Sequence, residues 1–162
     1  MTPSLPRVAG GTRFDSLEQQ AFLNLWRTYD QLRQYEEMLF ARYQLTPQQY
    51  NLLRLLQAAH PGDVPTLALA SRLISRAPDI TRMIDKLEER GLVSRQRPAD
   101  NRRTVRVRIT REGSVLLAEI AEPLRACHRR QLGHLDEARL RELIGLLQAA
   151  RAPHEDEESA WR

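Results

Sequence analysis

The chain has one cysteine, Cys127, and one lysine, Lys86, in its 162 residues. A lone cysteine excludes an intrachain disulfide framework. No run approaches the roughly 18 apolar residues of a membrane-crossing helix. Residues 1–13 also lack the cation-then-apolar order of a secretory signal, so a short disordered leader on a cytoplasmic protein is expected. The 7 glycines fall mostly at breaks. None builds a phosphate-cradling loop, and no serine, histidine and acid arrangement is evident, so neither enzyme activity nor a cofactor is expected. No internal repeat is present. Histidines number 4: His60, His128, His134 and His154. Only His128, beside Cys127, suggests a metal, but sequence neighbours on a helix face different ways and no carboxylate stands at ligand spacing, so no metal is expected. Cys127 shares a stripe with Ile120 and Leu124 and reads as small apolar packing.

Positive charge is what the sequence does have. The net charge is +4 and the pI about 9.8, a balance that favours polyanion partners. Between Ser71 and Arg111 stand 12 Lys/Arg and 5 Asp/Glu, so this segment alone carries +7. Within it, residues 78–90 read as a helix. Ile80, Met83, Ile84 and Leu87 recur at steps of three and four and share one face; Pro78, Asp79, Arg82 and Lys86 fall on the opposite arc. Pro78 suits a first helical turn, Ser75 or Ala77 would cap it, and Gly91 suits a left-handed stop. Asp79 could favour the helix dipole, pair with Arg82, or accept from a cytosine amine.

A hairpin follows. Leu92 to Arg97 reads as one strand. In the second, Val105, Val107 and Ile109 alternate with Arg106 and Arg108, the period of a half-buried strand. The turn between them holds Pro98, Asp100 and Asn101, with Arg102 and Arg103 at its tip. There, long cations can reach phosphates or a narrow minor groove.

The flanking chain is helical. Phe22, Leu25, Tyr29, Leu32, Tyr35, Leu39 and Tyr43 give one stripe across residues 14–43. Roughly thirty residues is long for a globular helix and asks for a partner along its length, within the chain or outside it. Leu45 to Tyr50 is a complete helix start, with Thr46 as cap, Pro47 first, Gln49 closing a capping box and Leu45 stapling to Tyr50. Thr66 should cap a helix whose buried edge is Leu69, Ala70 and Leu73. Thr110 should cap another, carrying Val115, Leu116, Ile120 and Leu124, which Pro123 should kink or divide. Asp136 should cap the last, with Leu140, Leu143, Ile144 and Leu147 on its apolar face. An acidic tail closes the chain.

The order helix, turn, helix ending in Gly91-Leu92-Val93, basic hairpin with Asp100, Arg102 and Arg103, then Ile109-Thr110 and Gly113, resembles the MarR family of winged-helix regulators. Leu69-Ala70, Leu73, Thr81-Arg82, Asp85, Leu87 and Arg95 also match. The likeness runs from Phe14 to Ala150 in layout and is motif-dense from Leu45 to Gly113. It implies a mainly α fold with a small β-hairpin wing: a winged helix-turn-helix over 45–110, an N-terminal dimerisation helix over 14–44, C-terminal dimerisation helices over 111–151 and a tail over 152–162. It implies a homodimeric, cytoplasmic transcriptional regulator, a repressor relieved by a small ligand. The expected partners are a pseudo-palindromic double-stranded operator and a second copy. Some relatives sense peroxide through a cysteine in the N-terminal helix, but residues 14–43 hold none.

On this reading Ser75, Arg76, Pro78, Asp79, Arg82 and Lys86 present to the major groove. The family likeness, not the helical wheel, puts Thr81 near the DNA backbone. Asn101, Arg102 and Arg103 form the wing contact, and Asp100 braces the arginines. Family likeness also implies a small aromatic effector, with Trp26, Tyr29, Tyr43, Tyr50 and His128 as possible lining residues, although aromatics at helical spacing are more often core. Two alternatives stay open: a non-specific architectural DNA binder, and a winged-helix module for an acidic protein partner.

Overall fold

In the computed structural model, residues 14–75, 79–99, 101 and 103–155 are described. Six helices and a small sheet run in the order α1 (Leu17–Ala41), α2 (Pro47–Ala59), β1 (Val64–Pro65), α3 (Thr66–Arg72), α4 (Ile80–Glu89), β2 (Val93–Gln96), β3 (Arg106–Ile109), α5 (Arg111–Leu132) and α6 (Glu137–Arg151), ending in a single 3-10 turn at Ala152–His154. The sheet is antiparallel with β3 in the centre, so β1 and β2 both pair with it. β2 and β3 make the expected hairpin, in the register Val93 opposite Ile109 and Gln96 opposite Arg106. The strand before α3 was not anticipated. Two residues are too short for any periodicity to show, and Pro65 removes a donor from one of them.

Local signals set most helix starts. Thr46 accepts from the Gln49 amide at 3.1 Å, and the Gln49 side chain accepts from the Thr46 amide at 2.9 Å. Pro47 occupies the first turn, where its missing N–H has no intrahelical partner to lose. Asp136 caps α6 through the Arg139 amide, and Thr110 caps α5 through the Gly113 amide.

Three expectations need correction. α4 begins at Ile80, not Pro78, and its N-cap is Asp79 rather than Ser75 or Ala77; the Asp79 carboxylate accepts from the Arg82 amide at 2.9 Å. Thr66 does not cap α3. Its hydroxyl donates to the Val105 carbonyl at 3.1 Å and its amide to the same oxygen at 3.0 Å, so it ties α3 to the wing while Pro65 holds the cap position without a side-chain bond. Finally, α5 runs unbroken through Pro123, so of the kink or division expected there the division does not occur. The helix loses one backbone bond there, and its packing through Ile120 and Leu124, both buried, holds it together.

One core joins the pieces. Leu39 and Phe40 from α1, Leu52, Leu53 and Leu56 from α2, Leu69 from α3, Ile84 and Leu87 from α4, Val93, Val107 and Ile109 from the sheet, and Ile120 and Leu124 from α5 form a single buried cluster. Phe40 stacks on Tyr50 with ring centroids 4.5 Å apart. Cys127 packs against this cluster as expected, and burial, then the charge of Glu36, raises its thiol above the ordinary cysteine value. α6 buries no residue. None of the helices is long and apolar enough to cross a membrane among the described residues.

Candidate nucleic-acid interface

Three small devices fix the head geometrically. Gly91 has φ +69°, so the chain turns out of α4 through the left-handed region, where a side chain is strained. Thr110 then closes the hairpin. Its hydroxyl donates to the Gly91 carbonyl at 2.6 Å and its amide to the Leu92 carbonyl at 3.1 Å. Gly113 lies against the same carbonyl, and a Cβ there would also sit 2.7 Å from Ile109 Cγ1. The Gly-Leu-Val and Ile-Thr-x-x-Gly motifs are thus one packed corner, where the end of α4, the start of β2 and the start of α5 meet.

The apolar face of α4 is buried as its spacing predicts, with Met83, Ile84 and Leu87 inside. Asp79, Thr81, Arg82 and Lys86 are exposed, as is Ser75 just beyond α3. Arg76 and Pro78 lie outside the described residues. Asp79 takes a role that was not weighed for it, the helix cap: its carboxylate accepts from the backbone amide of Arg82, and no ion pair with the Arg82 guanidinium forms. At the wing, Asn101 builds the turn. Its amide donates to the Pro98 carbonyl, its carbonyl accepts from Thr104, and its side chain accepts from the Arg103 amide at 3.2 Å. Arg103 is exposed. Asp100 and Arg102 lie outside the described residues.

Sequence reasoning treated the arginines of this region as one basic footprint, but the structure divides them. Arg95 on β2 reaches back to α4: it donates to the Thr81 carbonyl at 3.0 Å, pairs with Glu88 at 3.2 Å and pairs closely with Asp85. Its own amide also donates to Glu88, at 2.9 Å. Positions 81, 85 and 88 are successive turns on one flank of the helix, so a single guanidinium clamps the wing to α4. Arg106 pairs closely with Asp63, and Arg108 stands 3.7 Å from the same carboxylate while donating to Gln96 Oε1. Arg90 donates to the Gln44 and Tyr43 carbonyls at 2.6 and 3.1 Å, joining the end of α4 to the end of α1. Pairing leaves the net charge unchanged but decides which cations can reach a phosphate. Among the described residues of this stretch, Arg72, Arg82, Lys86, Arg97, Arg103 and Arg111 are exposed and make no ion pair with another described residue; Arg90 makes none either, but the two carbonyls hold its guanidinium. The clamp left no sequence signal, because Asp85 lies on the polar side of the predicted helix and only the return of β2 against α4 brings Arg95 to it. Asp63 carried no signal; only the unforeseen strand β1 brings it beside β3.

A crystallised MarR transcription factor from Planctomyces limnophilus is 53% identical to this chain, covering 85% of it and 99% of that protein, with a TM-score of 0.68. The chain belongs to the MarR family. The MarR family model itself matches residues 45–105, from the loop before α2 to the residue before β3. More distant solved structures share the fold. Sco3205, a MarR family transcriptional regulator from Streptomyces coelicolor solved in complex with DNA, has a TM-score of 0.79 at 17% identity, covering 93% of this chain and 96% of that one. BpsR from Bordetella bronchiseptica, whose DNA binding 6-hydroxynicotinic acid regulates, has a TM-score of 0.73 at 20% identity, covering 83% and 95%. The protein is therefore a MarR-family transcriptional regulator with a winged helix-turn-helix head.

The residues considered for an effector do not share one environment. Trp26 and Tyr29 are exposed on α1, Tyr43 and Tyr50 pack against the core, and His128 Nε2 lies 2.9 Å from Glu36 Oε1. That carboxylate was invisible at sequence spacing, 92 residues away. Among the described residues no group of three or more His, Cys, Asp or Glu is placed to hold a metal.

Proposed function

We propose that this regulator reads a specific double-stranded operator as a homodimer, with α4 in the major groove and the wing tip at the adjacent minor groove. The observation that carries the reading is the clamp at Arg95, which makes the exposed face of α4 and the cationic wing one rigid surface. Ser75, Arg76, Pro78, Asp79, Arg82 and Lys86 present to the groove, with Thr81 at its flank; Asn101, Arg102 and Arg103 form the wing contact, and Asp100 braces them. A dimer sets two such surfaces about one helical turn apart, roughly 34 Å.

The second copy packs on α1 and α6. Phe22, Leu25, Trp26 and Tyr29 on α1, and Ile144, Leu146 and Leu147 on α6, are large apolar side chains left exposed by the single chain. The protein acts as a repressor without enzymatic activity, released by a small hydroxylated aromatic ligand. Structural relatives support the ligand class, since one responds to 6-hydroxynicotinic acid and another was solved with 2,4-dichlorophenol bound.

Selection of duplexes from a random pool by the purified protein, followed by footprinting, tests the reading. A defined pseudo-palindromic footprint is expected. Uniform binding would make the protein architectural, and no binding would make it a protein-interaction module. Arg82→Ala should then cost about 1–3 kcal/mol on the selected site and erode site preference; uniform weakening would make Arg82 a backbone contact instead.

A further inference from the structure

Among the described residues of 45–110, the exposed large apolar side chains are Leu67 and Ile74. Leu67 is 86% exposed, although its helix buries Leu69. A single exposed leucine is ordinary on a protein surface. The surroundings of this one are not. Leu67 lines a cleft of about 560 Å³ between α3, α4 and the wing, whose walls include Thr81, Arg95, Arg97 and Arg103 and whose described lining contains no carboxylate. Arg95 is held by Asp85 and Glu88, whereas Arg97 and Arg103 are exposed and make no ion pair with another described residue.

Duplex geometry says what passes over this cleft. A major groove and its neighbouring minor groove are separated by one sugar-phosphate strand. If α4 enters one groove and the wing tip the other, that strand must cross the gap between them. We propose that the cleft seats this strand and that Leu67 is its apolar contact, packing on a deoxyribose while Arg97 and Arg103 hold flanking phosphates. The occupant has the matching chemistry: phosphates alternate along it with apolar sugar faces, as cations and a leucine share the cleft. Thr66 does not compete for the phosphates, because its one hydroxyl proton is donated to the Val105 carbonyl. The inference rests on the DNA-binding reading and adds a contact that carries no charge.

The lack of charge makes it testable. Phosphate contacts release counterions, so their contribution falls with salt; an apolar contact contributes equally at all salt concentrations. The experiment is fluorescence anisotropy with a labelled duplex of the sequence enriched by the wild-type protein, and with a scrambled duplex, over a salt series. Leu67→Ala should weaken binding about three- to tenfold on both duplexes, with the salt slope unchanged, and Leu67→Met should restore it. Arg97→Ala should lower the slope by about one unit. Because Leu67 is exposed, thermal melts of these variants should match the wild type. Unchanged affinity in Leu67→Ala, or a loss that shrinks as salt rises, would overturn the proposal. If the wild type binds both duplexes equally, sequence-specific reading fails while the Leu67 effect stays measurable. Binding to neither duplex ends both.

Discussion

The head and the terminal helices treat apolar surface in opposite ways. In the head, α2, α4, the sheet and the base of α5 close around one core, and few large apolar side chains remain outside. In α1 and α6 the stripes are just as periodic, yet Phe22, Leu25, Trp26, Tyr29, Ile144 and Leu146 stay exposed and α6 buries nothing. Among the described residues the head covers most of its apolar surface within the chain, and α1 and α6 leave theirs exposed. An amphipathic stripe therefore declares that a face needs covering, without declaring whose surface covers it.

The contrast can be attacked at four points, beginning with the largest effect. If the head is a finished unit, its tightest corner should be its weakest point. Gly113→Ala forces a methyl against the Leu92 carbonyl and the Ile109 side chain and should cost about 3 kcal/mol, read as a lower midpoint in a denaturant melt. A loss under about 0.5 kcal/mol would mean the corner is looser than it looks. If α1 is unfinished, charging it should separate subunits. Phe22→Asp with Trp26→Asp should weaken self-association by about 2 kcal/mol or more while helix content holds, as sedimentation and circular dichroism would report. Unchanged association would move the interface elsewhere.

Within the head, the clamp sharpens the comparison between fixed and free arginines. Arg95→Ala should cost about 1 kcal/mol of stability and should reduce affinity at all salts, whereas Arg103→Ala should leave stability alone and lower the salt slope by about one unit. Identical behaviour of the two variants would erase the division. The smallest effect concerns Cys127. Burial and Glu36 hold its thiol protonated above the usual range, so the thiolate is scarce at mildly alkaline pH, and alkylation by iodoacetamide should be slower than for an unfolded control. The sign follows for stability: a raised thiol pKa stabilises the fold below the unfolded value, and that contribution is lost as pH climbs through the folded one.

Local chemistry was readable wherever a few neighbouring residues suffice. The capping box at Thr46 and Gln49, the caps at Thr110 and Asp136, the alternation of Val107 and Ile109 and the apolar face of α4 all depend on residues within a turn or a strand of one another. Expectations failed where a distant group competed for the same atom. Thr66 has the right chemistry for a cap, but the Val105 carbonyl, 39 residues on, takes its hydroxyl. Asp79 displaced Ser75 and Ala77 for a local reason: α4 starts at Ile80, the first residue of its apolar stripe, and not at the proline two residues before it. Arg106 and Arg108 do lie on the outer face of the wing, yet Asp63, the residue before the unforeseen strand β1, pairs with both.

By itself, then, the order of residues determined the six helices, the hairpin and the concentration of positive charge, since periodicity, caps and turns act over short stretches of chain; their winged-helix arrangement was what the family likeness implied. Among the described residues, tertiary structure alone decided which arginines are tied down and which make no ion pair, that Leu67 overlooks a cleft whose described lining holds no carboxylate, and which apolar stripes remain uncovered. Those outcomes depend on groups tens of residues apart meeting in space, and a one-dimensional pattern records what each residue offers but not which partner reaches it.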